Sequence, residues 1–149
     1  MNNNSLRTSA PSAVNALSHR VIGCAMKVHS ALGPGLLEST YEACLEHELQ
    51  KANIPLKRQM ALPVHYDGVL IDCGYRVDLL IEDQIILELK SIDRLAPIHE
   101  AQLLTYLKLA NLNLGLLINF NVLHLRNGIK RIVYNFPEEK FTAEEAEER

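Results

Sequence analysis

The sequence predicts an α/β domain in which helices flank a mixed central sheet. Three observations carry that expectation. Apolar residues recur three or four apart in two stretches before Asn53 and in one after Ala96, the period of amphipathic helices. Between them, residues 56–90 read as short apolar runs joined by turn formers, as strands do. After the last helix comes a continuous apolar run, Leu114–Phe120, which a helical crossover can return parallel to an earlier strand.

At 149 residues the chain is one domain by size, and its 48% apolar content is ample for a packed core. The expected layout is a disordered arm over residues 1–12, a single domain over 13–136 and an acidic tail over 137–149. No run of eighteen apolar residues occurs, so no membrane span is expected. The first residues lack the apolar core of a signal peptide, and three widely spaced cysteines make neither a disulfide framework nor a zinc pattern. A reducing cytoplasm is the expected compartment. The net charge is −3, but the tail from Glu138 holds six Glu against one Lys and one Arg. The remaining 12 acids and 13 bases leave the domain at +1, which neither favours nor excludes a nucleic-acid partner.

The first helix is expected over about Asn15–Leu32, with Leu17, Val21, Cys24 and Val28 on one stripe, and Gly33-Pro34-Gly35 ends it. The second runs over about Leu37–Ala52. Its Glu38 reads in isolation as an acid complementing the helix dipole. Leu56–Tyr66 and Val69–Asp72 are expected as strands joined by Asp67-Gly68, a hairpin turn signal, and they begin an antiparallel meander. Lys57, Arg58 and His65 read as solvated strand residues. A third helix opens near Pro97, a residue suited to the first helical position, and runs to about Ala110. On it Gln102 and Tyr106 are four apart and share a face, a spacing that a wet helix boundary also explains. A final edge strand spans Ile129–Phe136.

The stretch Tyr75–Ser91 organises the rest. It reads as two strands, Tyr75–Ile81 and Ile85–Lys90, around a Glu82-Asp83-Gln84 turn. Glu88 and Lys90 are two apart and point the same way, and hairpin pairing brings Asp78 close to both. A cross-strand salt-bridge set is one reading of these charges. The other is a site, because Ile85-Ile86-Leu87 marks a strand covered on both faces, where charge is costly unless paired or given a metal.

Asp78 followed by Glu88-Leu89-Lys90 resembles the D…ExK signature of the PD-(D/E)XK nuclease superfamily, with Val77 where that name has proline. The stretch 29–49, HSALGPGLLESTYEACLEHEL, resembles the signature of the GxxExxY protein family through Gly35, Glu38 and Tyr41. Gln102 and Tyr106 look like the QxxxY element of the superfamily's RecB-type branch. The resemblance implies a restriction-endonuclease-like αβββαβ core and a cytoplasmic, metal-dependent nuclease that hydrolyses phosphodiester bonds of DNA or RNA with a metal-activated water. It implies Mg2+ or Mn2+ held by Asp78, Glu88 and the Leu89 carbonyl, with Glu38 joining directly or through water. It implies Lys90 as the stabiliser of phosphate charge, with Gln102 and Tyr106 positioning a phosphate or Lys90. DNA is the expected partner and a twofold homodimer the expected assembly. Two other readings stay open from sequence alone: a nucleic-acid or protein-binding module with weak or no cleavage, and a domain for a small phosphorylated ligand.

Overall fold

The structure, a computed structural model, describes residues 11–136. The expected arm lies outside it except for Pro11 and Ser12, and the acidic tail lies outside it entirely. Helix α1, Pro11–Leu32, begins earlier than the expected Asn15. A proline fits a first helical turn because its missing N–H has no intrahelical acceptor there. Val14, Leu17, Val21, Cys24, Ala25 and Val28 form its buried stripe. Helix α2, Glu38–Lys51, buries Tyr41, Leu45 and Leu49 on the same period, together with one acid, Glu42. Between the helices Gly33 and Gly35 take φ of +70° and +100°, backbone that side chains disfavour, and the chain reverses there. No helix among the described residues is long and apolar enough to cross a membrane.

Among the described residues seven strands follow: β1 Leu56–Ala61, β2 Val64–Tyr66, β3 Val69–Ile71, β4 Arg76–Ile81, β5 Ile85–Lys90, β6 Leu114–Asn119 and β7 Ile129–Val133. Helix α3, Pro97–Ala110, connects β5 to β6. The central sheet has the order β1-β4-β5-β6-β7, with β5 and β6 parallel and the other neighbours antiparallel. This is the expected mixed sheet flanked by helices, consistent with a restriction-endonuclease-like fold.

The strands before β4 depart from the expected meander. Leu56–Tyr66 is not one strand but breaks at Leu62-Pro63, since proline has no N–H to continue a ladder. Strand β1 pairs with β4, and β2 and β3 form a separate hairpin closed by Asp67-Gly68. Both turn residues have positive φ, as a two-residue primed turn requires.

Two cores sit on the two faces of the sheet. Ile85, Leu87, Leu89, Leu116 and Ile118 pack with α1 and α2, while Ile86 and Leu117 pack with Leu103, Tyr106 and Leu107 of α3. The alternation breaks at one place. In β4, Leu79 and Ile81 join the first core and Leu80 the second, but Val77 joins the second as well. In β1, Leu56 packs on the first core and Met60, which a regular strand would turn the same way, packs on the second. Both strands exchange faces at Gln59 and Asp78, between the Arg58↔Leu79 and Met60↔Val77 pairs, and Gln59 has φ +50°.

Candidate active site

The central feature is a fork between β4 and β5. Their backbone pairing runs from Ile81↔Ile85 to Leu79↔Leu87 and stops. Strand β4 stays paired to β1 as far as Arg76, and β5 to β6 as far as Lys90. Just beyond Leu79 the two strands separate, and side chains take over the ladder. The Asp78 N–H donates to Glu88 Oε2 at 3.1 Å, and the Leu89 N–H donates to Asp78 Oδ2 at 2.8 Å. The N–H and C=O of one strand residue point toward the same neighbouring strand, so the Leu89 carbonyl also faces the fork. The Lys90 carbonyl faces away and accepts from the Phe120 N–H at 2.9 Å.

Electrostatically the fork crowds two carboxyl groups, and both hold their protons more tightly than ordinary carboxyls do. Glu88 is only 6% exposed. Burial, and next the Asp78 carboxylate, push its pKa up to about 8. Asp78 is also raised, first by burial, with the Leu89 N–H pulling it back. Lys90 is half-buried on β5, and among the described residues no ion pair joins it to either acid. The cross-strand salt-bridge set is therefore not what the fold forms.

Three oxygen donors suited to a hard divalent cation thus face one fork: two carboxylates and the Leu89 carbonyl. Among the described residues no three His, Cys, Asp or Glu side chains close on a single point. Glu38 does not close with Asp78 and Glu88 into such a group. It stands exposed in the first turn of α2, and its charge is felt at Asp78 more weakly than that of Glu42.

The surroundings hold this geometry in place. Tyr41 is fully buried and stacks on Phe120 with ring centroids 4.4 Å apart. Its hydroxyl donates to Gly33 O at 2.5 Å and accepts from the Leu36 N–H at 3.2 Å, which fixes the turn that delivers Glu38. Ser91 Oγ donates to Leu36 O at 2.6 Å and ties that turn to the end of β5. Asn119, 2% exposed, exchanges amide hydrogen bonds with the Ile92 backbone and anchors the chain just past Lys90. Tyr106 is buried on α3. Its phenol pKa is raised by burial first and then by the Glu88 charge, which places it beside the fork. Gln102, one turn earlier, is exposed.

Sequence reasoning missed three residues. Glu42, 7% exposed, accepts from Arg58 Nε at 2.9 Å and from Gln59 Nε2 at 3.0 and 3.1 Å. Arg58 is not a free solvated residue, because it also donates to Glu46 at 2.7 Å. Glu42 could have been found, lying one helical turn after Glu38 on the same face. Gln59 carried no signal, because a left-handed residue inside a strand cannot be read from residue type.

A comparison with protein-family models matches residues 15–132 to the family described as the PD-(D/E)XK nuclease superfamily. Comparisons with curated proteins and with solved structures gave no match. The matched span takes in most of α1, all of α2, the forked strands and α3. The chain belongs to the PD-(D/E)XK nuclease superfamily.

Proposed function

We propose that this protein is a divalent-metal-dependent nuclease of the GxxExxY family, on the RecB-type branch, that hydrolyses phosphodiester bonds of DNA. The observation that carries the reading is the pair of acids in the fork, Glu88 buried and Asp78 half-buried, with no ion pair to a cation among the described residues and with Lys90 two residues after Glu88 on β5. Asp78, Glu88 and the Leu89 carbonyl would hold Mg2+ or Mn2+, with Glu38 reaching it through water. When bound, the ion supplies Lewis-acid polarisation of the phosphate and eases deprotonation of water. Lys90 turns its ammonium toward the charge that builds on the phosphate oxygens. The Tyr106 hydroxyl and the Gln102 amide orient that phosphate or Lys90. The free thiols of Cys24, Cys44 and Cys73 fit a reducing cytoplasm.

Calorimetric titration with Mn2+ is expected to show binding to the wild type and none to Asp78→Asn. A panel of labelled single-stranded, duplex and RNA substrates should show metal-dependent cleavage by the wild type alone. Equal Mn2+ binding by both proteins would rule out the ligand assignment, and cleavage of RNA alone would rule out DNA as the substrate. A twofold dimer would let two forks address the two strands of a duplex. Light scattering at micromolar concentration should then give twice 16.8 kDa, and a monomer would exclude this assembly.

A further inference from the structure

We infer that Gln59 is a positioning residue: its side-chain amide, aimed by left-handed backbone, fixes the Asp78 carboxylate in the fork and holds Glu42 beside it. The inference builds on the nuclease reading, in which Asp78 is a metal-holding acid.

Gln59 Nε2 lies 3.3 Å from Asp78 Oδ1 and 3.0 and 3.1 Å from the two oxygens of Glu42. All three acceptors are carboxylate oxygens, so the nitrogen end of the amide has to face them. A neutral donor thus stands between two acids that would otherwise confront each other. The far side of this bridge is firmly held. Glu42 accepts a charge-assisted bond from Arg58, and Arg58 is itself held by Glu46. Asp78 is then gripped at both oxygens, by β1 through Gln59 at Oδ1 and by β5 through the Leu89 N–H at Oδ2. Its carboxylate has little freedom left, which is what a ligand-bearing side chain needs.

The backbone explains how the amide gets there. Consecutive residues of a regular strand point to opposite faces. Arg58 faces α2, where Glu42 and Glu46 lie, so a regular Gln59 would turn toward α3 and away from Glu42. At φ +50° both neighbours reach Glu42, and the alternation of β1 and β4 inverts at this point. Left-handed backbone is unfavourable for a glutamine, and such strain collects at functional sites because the surrounding structure maintains it for a purpose.

The test uses Gln59→Gly and Gln59→Asn. Both residues tolerate positive φ better than glutamine does, but glycine has no amide and the asparagine amide falls one methylene short. Amide hydrogen exchange is read at Leu89, whose N–H is bonded to Asp78, and at Leu87, which pairs with Leu79 in the intact ladder. With Asp78 released, exchange at Leu89 should quicken about tenfold in both variants while Leu87 keeps the wild-type rate. Mn2+ affinity should fall about tenfold in the same proteins. Wild-type exchange at Leu89 in both variants would overturn the inference. So would equal acceleration at Leu89 and Leu87, since Gln59 would then serve only overall stability. A wild type that binds no Mn2+ would defeat the nuclease reading, while the Leu89 and Leu87 comparison would still decide the role of Gln59.

Discussion

Replacing Lys90 with Met should lower the cleavage rate about a hundredfold or more, with the fold and the affinity for metal and nucleic acid retained. The methionine keeps most of the stem and deletes the charge. Lys90 lies two residues after Glu88 on β5 yet pairs with neither acid of the fork, so among the described residues its removal breaks no ion pair. On the proposed nuclease reading its ammonium meets charge that develops only in the transition state. Loss of such an interaction lowers kcat and kcat/KM together and leaves binding nearly unchanged. A Lys90 whose task was to balance buried acids would behave differently, since removing a paired charge costs about 3–5 kcal/mol of stability. Single-turnover cleavage and a thermal melt on the same variant separate the two. A variant that melts much earlier, from a wild type that cleaves nothing in the presence of metal, would mean that the cluster is structural.

The metal-free protein should lose stability as the pH rises toward 8, and Glu88→Gln should remove most of that loss. The folded pKa of Glu88 is raised to about 8 from an ordinary value of 4.5, by burial first and then by the charge of Asp78. Between those values the folded chain keeps a proton that the unfolded chain gives up. The stabilisation is therefore complete below about pH 4.5, declines through the window and is gone above about pH 8. The full change is on the order of 3–5 kcal/mol, from the size of the shift. The difference in Tm between wild type and Glu88→Gln across this range isolates the contribution of Glu88. A wild-type Tm no more pH-dependent than that of the variant would contradict the buried, raised carboxyl. Metal affinity should move the opposite way and strengthen with pH, because the ligand must be deprotonated to bind. Mn2+ added at pH 8 should thus raise the wild-type Tm and leave that of the variant nearly unchanged.

Tyr41 and Glu38 show how a motif can be legible while its division of labour is not. Both stood out in the sequence through Gly35, Glu38 and Tyr41. Only the packed structure distinguishes them: the tyrosine is buried against Phe120 and locks the glycine turn, while the glutamate stays exposed at the start of α2. Stacking on a residue nearly eighty positions away is not encoded in the local pattern.

Local physics determined much of this protein by itself. The helices follow from apolar residues three and four apart, and the β4–β5 hairpin from apolar runs flanking Glu82 and Asp83. The approach of Asp78 to Glu88 follows from the hairpin register, and the parallel return of β6 from a buried run after a helix. Tertiary structure alone decided that β1 skips the β2–β3 hairpin to pair with β4, and that β4 and β5 part after Leu79. It also decided that Lys90 stays unpaired with the acids while Arg58 and Gln59 converge on Glu42. Periodicity, proline and turn residues act within a few positions along the chain. Where a ladder ends, which acid is buried and which cation reaches it depend on segments that meet only once the whole sheet has formed.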